Sequence, residues 1–567
     1  MISVRQVPLE AERQLSAAGV PPVLARLLAA RGIVAADELG RDMTRLLPPA
    51  AMKGLDRAAR LLADAMERGE RLCIIADYDC DGATACAVAV RGLRLLGALH
   101  VDYLVPNRFE HGYGLTVPVV ELAAQHPRLG RPDWLITVDS GIASVDGVAA
   151  ARAHGMRVIV TDHHLPGDAL PDADAIVDPN QPGCTFASKH LAGVGVMFYL
   201  LLALRAELRR RHPESAAGRA PLQQLLDLVA LGTVADLVRL DGNNRLLVAA
   251  GLQRIRAGRA CAGLRALLRI AGRDEARCAC SDLGFALGPR INAAGRLADI
   301  SIGIECLLCD DAARADELTA MLDTMNRERR QIEHSMREQA LDALPDDPDD
   351  APAIVMHRDG WHEGVIGLVA SRLKDRLHRP AIALAQAADG TLRGSGRSIP
   401  GVHLRDVLDL VDKRAPGLLL RFGGHAMAAG LSLQTARLDE FAQLFRQAVL
   451  DFADPGCFAR ETLTDGALDA AQIDLALVEA LESQVWGQGF PPPLFSDVFQ
   501  VGRQSLMAGK HLRVELRSGS RRLTAVAFGR TDPLPSPARL AYRLMRDDFQ
   551  GLASVRLVIE TVEPAAN

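Results

Sequence analysis

Along the first 180 residues the apolar positions fall in short unbroken runs rather than in alternation. "RLCIIA" (71–76), "HVDYLVP" (100–106), "DWLITVD" (133–139), "MRVIVTD" (156–162) and "ADAIVDP" (173–179) each read as a β-strand buried on both faces. Segments of helical period lie between them: "LDRAARLLADAMERGE" (55–70), "GATACAVAVRGLRLLGA" (82–98) and a helix around 143–154. Alternation of β and α elements predicts a doubly wound α/β lobe with a parallel sheet.

Residues 190–340 turn mostly helical. Residues 310–344 contain no Gly or Pro and are dense in charge, which predicts one exposed connector helix of roughly 50 Å. "PDDPDDAP" (345–352) breaks it. A second α/β pattern follows over about 352–450, with "AIVMHR" and "PAIALAQ" as β-strands and "GVIGLVASRLKDRL" as a helix. From about 455 the pattern changes again, and "HLRVELRSGSRRLTAVAFG" (511–529) reads as paired β-strands of a small β-rich domain. The predicted fold class is therefore α/β, with five parts: an N-terminal helical cap at 1–50, a large α/β lobe with a helical extension at 51–309, the connector and linker at 310–350, a smaller α/β lobe at 351–453, and a β-rich domain at 454–567.

Composition narrows the function without naming it. The 567 residues are 49 % apolar and 24 % charged, ordinary for globular protein, and the net charge of −5 gives no global basic field. A basic groove can still exist locally, since charges act over about a Debye length (roughly 10 Å). Aromatics at 4 % weigh against recognition built mainly on stacked bases. The charged start, "MISVRQVPLEAERQLSAAG", has no apolar core of signal-peptide type, and no run reaches the ~18 apolar residues of a membrane span. Ten cysteines without a disulfide-like framework suit a reducing cytoplasm. Cys278-x-Cys280 has the wrong spacing for a zinc knuckle, and Cys306 and Cys309 lie in an amphipathic helical pattern, so the sequence argues against structural zinc.

The chemistry gathers at predicted strand ends. Asp77, Asp79 and Asp81 follow "CIIA"; Asp139 follows "WLITV"; Asp162, His163 and His164 follow "VIVT". In open parallel sheets that edge is where ligands bind. Crowded carboxylates raise one another's pKa unless a cation offsets the repulsion, which makes the cluster a candidate metal site. If "DYDCDG" is extended, alternation puts its three acids on one side. Oxygen ligands with an imidazole suit Mn²⁺ or Mg²⁺, and two such ions about 3.5–4 Å apart fit phosphodiester hydrolysis, with Asp139 placed to bridge them. A calcium loop is excluded, because its twelfth position, counted from Asp77, is Val88 rather than Glu.

"DYDCDG", "VDSG" and "TDHH" resemble the DHH phosphoesterase superfamily. "VPNRFEHGYGL", "LAGVGV", "LVALGTVADLV", "GPRINAAGRL", "GWHEGVIGLVASRL", "SGRSIPGVHL" and "FGGHAMAAG", in order between about 50 and 450, are similar to the bacterial RecJ family of single-strand-specific exonucleases. The resemblance implies a 5′→3′ exonuclease that hydrolyses single-stranded DNA to 5′-mononucleotides with two Mn²⁺ or Mg²⁺ ions, in DNA repair and recombination. It implies Asp77, Asp79, Asp81, Asp139, His163 and Asp236 as metal ligands. Asp79, Asp81, Asp139, His163 and His164 are the implied catalytic set, with His164 behind the metals or on substrate. Asp236, in a helical pattern, enters by resemblance alone.

The same resemblance makes Ser395, Arg397, Ser398, Gly424 and His425, in Gly-rich segments, candidates for gripping a 5′ phosphate. Arg108, Arg290, Asn292 and Arg296 are candidates for the DNA backbone, and Tyr113, Trp361 and Phe422 for base stacking, although core packing is the commoner use of such rings. The implied architecture sets the two lobes across a cleft, with metals on one wall and the phosphate anchor on the other. The C-terminal domain resembles a single-strand-binding OB-like barrel. Single-stranded DNA is the implied partner, with a helicase and a single-strand-binding protein as further partners and no membrane. Two departures stand out: Ser140 where the family pattern has Asn or Cys, and Phe490 in "WGQGFPPPLF" where it has Asn. A small-substrate phosphodiesterase of the same superfamily and a metal-dead scaffold are the rival readings; the β-rich domain and connector weigh against the first, the intact acids against the second.

Overall fold

The computed structural model describes residues 1–40, 42–107, 110–344, 351–548 and 552–565. The chain divides into two compact units, one of Val4–Thr324 and Thr464–Asn567, the other of Met1–Ser3 and Met325–Leu463.

The first unit holds the parallel sheet that the apolar runs predict. Its β-strands are Leu72–Ala76, Val101–Leu104, Trp134–Val138, Arg157–Thr161 and Ala175–Val177. Their spatial order is Val101–Leu104, Leu72–Ala76, Trp134–Val138, Arg157–Thr161, Ala175–Val177, and every pairing is parallel. All five residues of both Leu72–Ala76 and Trp134–Val138 are buried, as continuous apolar runs covered on two faces require. Leu55–Glu67, Cys80–Leu95, Val117–Ala124, Val145–Ala153 and Gly193–Arg211 are among the helices that pack around it.

The C-terminal part of this unit is a closed five-stranded barrel. Phe495–Met507, His511–Ser518, Arg521–Ala527, Ala538–Asp547 and Ser554–Pro564 close in the order first, second, third, fifth, fourth. The third and fifth pair in parallel, and a bulge between Val501 and Gln504 bends the longest strand. The segment that joins barrel to lobe carries the Phe490 departure. Phe490 is buried and stacks on Trp486 with centroids 5.3 Å apart, under the Arg245 guanidinium at 4.5 Å. Gly487 and Phe490 exchange both backbone hydrogen bonds, so the turn closes without an Asn.

The second unit is built on a mixed sheet in the order Leu419–Gly424, Ala428–Gln434, Thr391–Arg397, Ala381–Gln386, Ile354–His357. Only the last pair is parallel. Leu404–Arg414 and Leu438–Phe452 cover it with Leu408, Val411, Phe441 and Phe445 in one core. The Gly-rich segments are largely β-strand: Gly394 and Gly396 lie within Thr391–Arg397, and Gly430 pairs with Ser395. The reason is packing. A Cβ on Gly394 would lie 2.9 Å from Leu431 Cγ, and one on Gly396 2.8 Å from Leu404 Cδ2.

The predicted connector is the helix Ala312–Asp342. No described helix is long and apolar enough to cross a membrane.

Candidate metal centre

The chain leaves Leu72–Ala76 toward one side of the sheet and returns to its other side in Trp134–Val138. Connections diverge at such a switch, and the carboxyl ends of the two β-strands border a crevice. Asp77 and Asp139 are the next residues after those ends, and Asp162–His163–His164 follows the adjacent Arg157–Thr161.

The segment "DYDCDG" is not extended throughout. Asp79 is the N-cap of helix Cys80–Leu95; its Oδ1 accepts from the N–H groups of Asp81 (2.9 Å) and Gly82 (3.0 Å). Asp81 therefore sits in the first helical turn, and the three acids converge by capping rather than by strand alternation. Asp81 is fully buried, with Oδ2 accepting from Gly193 N–H at 2.6 Å and Oδ1 from Val194 N–H at 3.0 Å. These are the first N–H groups of helix Gly193–Arg211, whose positive end favours the carboxylate. A side chain at 193 would not fit, since a Cβ there would lie 2.6 Å from Asp139 Oδ1.

Asp139 adopts φ +61°, a left-handed conformation that Asp tolerates better than most residues. His163 Nε2 lies 3.0 Å from Asp139 Oδ1, 3.5 Å from Asp236 Oδ2 and 4.0 Å from Asp81 Oδ2. Asp236 closes the C-terminal end of helix Leu226–Ala235, and the exposed Leu237 that follows is forced to φ +62°. Three donor groups are within reach of a shared ion: Asp77 with Asp79 and Asp139; Asp81 with His163 and Asp236; Asp139 with His163 and His164. Within each, the donor atoms lie within 4.8 Å of one another.

The described ion pairs of Asp81, Asp139 and Asp236 all run to the single imidazole of His163. Burial first, then the neighbouring acids, pushes Asp81 and Asp139 well above the usual carboxylate range. The same causes lift Asp236 to about 7. A set of buried carboxylates with one imidazole, short of positive charge, fits hard divalent cations of the Mg²⁺ or Mn²⁺ type.

Asp162 is the residue whose part the sequence left unread. Its Oδ1 accepts from His163 N–H (2.7 Å) and His164 N–H (3.1 Å) and meets His164 Nδ1 at 2.7 Å, while Oδ2 accepts from Ile142 N–H at 2.9 Å. Burial alone would lower the His164 imidazole; the hydrogen bond and charge of Asp162 outweigh it and hold the ring at about 9. The Tyr113 hydroxyl stands 3.4 Å from both His164 nitrogens, and Asn180 Nδ2 donates to the His163 carbonyl at 2.6 Å. A strand-end acid followed by two histidines was the available signal for Asp162; nothing in the spacing marks Asn180.

Residues expected on the DNA backbone are placed differently. Arg290 is buried, with Nε 3.0 Å from Asp323 Oδ1 and Nη1 donating to the Ala286 carbonyl at 2.6 Å. Asn292 Oδ1 accepts from Cys80 N–H at 2.7 Å, and a Cβ on Gly295 would strike the Tyr78 carbonyl at 2.1 Å. "GPRINAAGRL" thus braces the acidic loop from behind. Arg296 is half-buried on the same helix, and Arg108 lies outside the described residues.

In the second unit Arg397 Nη1 donates to Ser395 Oγ at 3.0 Å, and a Cβ on Gly367 would lie 3.0 Å from both Arg397 Nη2 and Ser395 Oγ. A guanidinium and a hydroxyl thus face the first turn of helix Ile366–Leu377, the arrangement that binds anions. Ser398 is buried and donates to the Val402 carbonyl at 2.7 Å, so its hydroxyl is used internally. Gly424 has φ +138° at the end of its β-strand, and His425 is exposed beside it. Trp361 is a core residue whose indole donates to Gln339 at 2.9 Å, and Phe422 packs on the core; Tyr113 alone of the three rings stands at the acid cluster.

Comparison with known proteins covers nearly the whole chain. Residues 71–233 match the DHH family, N-terminal domain; residues 350–451 match the DHHA1 domain; residues 464–561 match the RecJ OB domain. The single-stranded-DNA-specific exonucleases RecJ of Salmonella typhimurium and Escherichia coli are 47 % and 46 % identical, each over 96 % of this chain and 96 % of the relative. The crystal structure of Thermus thermophilus RecJ in complex with Mn²⁺ is 31 % identical and superposes with a TM-score of 0.83, covering 100 % of this chain and 79 % of that one.

Proposed function

The chain belongs to the RecJ family of single-stranded-DNA-specific exonucleases, and from that premise we propose that it hydrolyses single-stranded DNA from the 5′ end to 5′-mononucleotides, in DNA repair and recombination. The observation that carries the reading is the meeting of Asp77, Asp79, Asp81, Asp139, His163 and Asp236 at one sheet edge. These six would hold two Mn²⁺ or Mg²⁺ ions, Asp139 being the acid within reach of both Asp77/Asp79 and His163, in line with the Mn²⁺ and Mg²⁺ complexes of the Thermus relative. Bound there, such ions supply the positive charge that makes water a competent nucleophile and stabilises a leaving oxygen.

The protein's own groups do the positioning. The N–H groups of Gly193 and Val194 fix both oxygens of Asp81, and Asp162 holds the His163 backbone N–H and the His164 ring. His164, whose ring Asp162 holds and raises toward its charged form, offers a donor to a scissile phosphate, with the Tyr113 ring beside it. Arg397 and Ser395 grip the terminal 5′ phosphate, and the closed barrel tracks the single strand. A helicase that supplies single strands and a single-strand-binding protein are the fitting partners, and ten free cysteines suit a cytoplasmic setting.

Digestion of 5′- and 3′-labelled single and double strands with Mn²⁺, Mg²⁺ or chelator, with product length resolved, tests the whole reading. The expected result is mononucleotide release from the 5′ end of single strands, abolished by chelator. Release from 3′ ends, or activity that survives chelation, would overturn it.

A further inference from the structure

Two helices that bring acids to the metal centre also share a second site at their other ends. Helix Cys80–Leu95 starts at the acidic loop and runs away from it, while Leu226–Ala235 packs on it and runs back to end at Asp236. The last turns of the first and the first turn of the second wall a cavity of about 580 Å³. At 1.5 Å per residue, Arg91 and Arg94 stand about 15 and 20 Å along the helix from Asp81. The cavity is therefore distinct from the acid cluster.

Its wall is arginine-rich and half satisfied. Arg91, Arg94, Arg254 and Arg259 line it, against the carboxylates of Asp227 and Asp310. Arg91 is committed: its Nη2 meets Asp310 Oδ1 at 2.7 Å and its Nε donates to the Leu307 carbonyl at 3.0 Å. Arg94 and Arg259 are exposed and form no ion pair among the described residues. Asp227 is 1 % exposed; its Oδ2 accepts from Cys261 N–H at 2.7 Å, but Oδ1 accepts no hydrogen bond among the described residues. Arg254 Nε, 4.0 Å from that oxygen, is likewise buried without a hydrogen-bond partner among them. Buried polar atoms in folded proteins are as a rule satisfied, by protein, water or ligand.

We propose that this cavity binds a phosphorylated nucleoside, with its phosphates on Arg94, Arg254 and Arg259 and an N–H donor of its base on Asp227 Oδ1. Guanidinium forks match phosphate oxygens, and a carboxylate oxygen takes only donors, which the N–H groups of a base edge supply. The volume lies in the range of small-molecule sites. The inference is independent of the nuclease reading, since no residue of the metal centre takes part.

Calorimetric titration of the full chain in EDTA, with dGTP and separately with inorganic tripolyphosphate, tests it. The expected result, read in an Arg397→Ala background that removes the anion site of the second unit, is one dGTP per chain, bound about tenfold more tightly than tripolyphosphate. Adding the paired Arg94→Ala and Arg259→Ala substitutions, both at exposed positions, weakens dGTP binding about tenfold or more in that background, and the same pair in the wild-type chain leaves nuclease activity unchanged. Asp227→Asn, which keeps an acceptor for Cys261, narrows the advantage of dGTP over tripolyphosphate. No binding of dGTP, binding indifferent to the paired substitution, or tripolyphosphate binding as tight as dGTP would each overturn the proposal.

Discussion

The parallel sheet of the first unit and the mixed sheet of the second both end at a helix N-terminus, and they use it in opposite ways. At the parallel sheet the N–H groups of Gly193 and Val194 are consumed by the protein's own Asp81. That fixes a carboxylate inside a crowd of carboxylates, where burial first and mutual repulsion second push Asp139 and Asp81 well above the usual carboxylate range. At the mixed sheet the first turn of Ile366–Leu377 faces Arg397 and Ser395, and burial lowers the guanidinium pKa, with no acid paired to it among the described residues. One end is built short of positive charge and the other short of negative charge. The first suits cations, the second suits an anion.

The largest expected effect follows from removing the acid that the first site shares. Asp139→Ala takes away an oxygen that reaches both Asp77/Asp79 and His163. Turnover on single-stranded DNA should fall about 10³-fold, while strand affinity measured in chelator stays near wild type. Near-normal turnover in a folded variant would remove the parallel sheet from the chemistry. A smaller loss is expected from Gly193→Ala, which touches no substrate. Its Cβ would press on Asp139 at 2.6 Å and disturb the N–H that holds Asp81. Stability should drop by about 1–3 kcal/mol, and turnover about 10- to 100-fold, the range of groups that orient metal ligands. Denaturant unfolding and single-turnover rates separate the two; unchanged rates would mean that Asp139 tolerates displacement.

For the anion end, Arg397→Ala should cost about tenfold in preference for a 5′-phosphorylated over a 5′-hydroxyl strand, as loss of a charge-assisted fork predicts. Competition between the two labelled substrates reads this directly. Equal loss on both would assign Arg397 to the sheet rather than to the phosphate.

The two ends also differed in how far the sequence exposed them. Asp77, Asp139 and His163 were legible because each follows a continuous apolar run, and buried parallel strands deliver such residues to one edge. Asp236 was not, because it terminates a helix whose residues are buried on all sides, and its approach to His163 depends on tertiary packing. Asp79 and Asp81 were found for a wrong local reason: capping, not strand alternation, turns them inward. The mixed sheet was legible only in part: Ile354–His357 and Ala381–Gln386 follow the predicted apolar runs, whereas Thr391–Arg397 carries glycines, which usually punctuate, because neighbouring Leu431 and Leu404 leave no room for a side chain. Arg290 and Asn292 show the converse failure. An Arg and an Asn in a Gly-flanked motif read as ligand-facing, but their partners, Asp323 and the Cys80 amide, are distant in sequence and internal in space.

The smallest effect is expected at Ser140, the departure nearest the acids. Its carbonyl, not its hydroxyl, is engaged: Thr137 Oγ1 donates to it at 2.7 Å, which steadies the turn around Asp139. The hydroxyl is buried at 1 % exposure with no hydrogen-bond partner among the described residues. A desolvated and unpaired hydroxyl costs stability, so Ser140→Ala should raise the unfolding free energy by about 1 kcal/mol and leave turnover unchanged. The backbone contact that matters survives the substitution, because it uses no side-chain atom of residue 140. A fall in turnover at unaltered stability would instead place that hydroxyl in the service of Asp139, and the acid cluster would then depend on a neutral donor as well as on its own carboxylates.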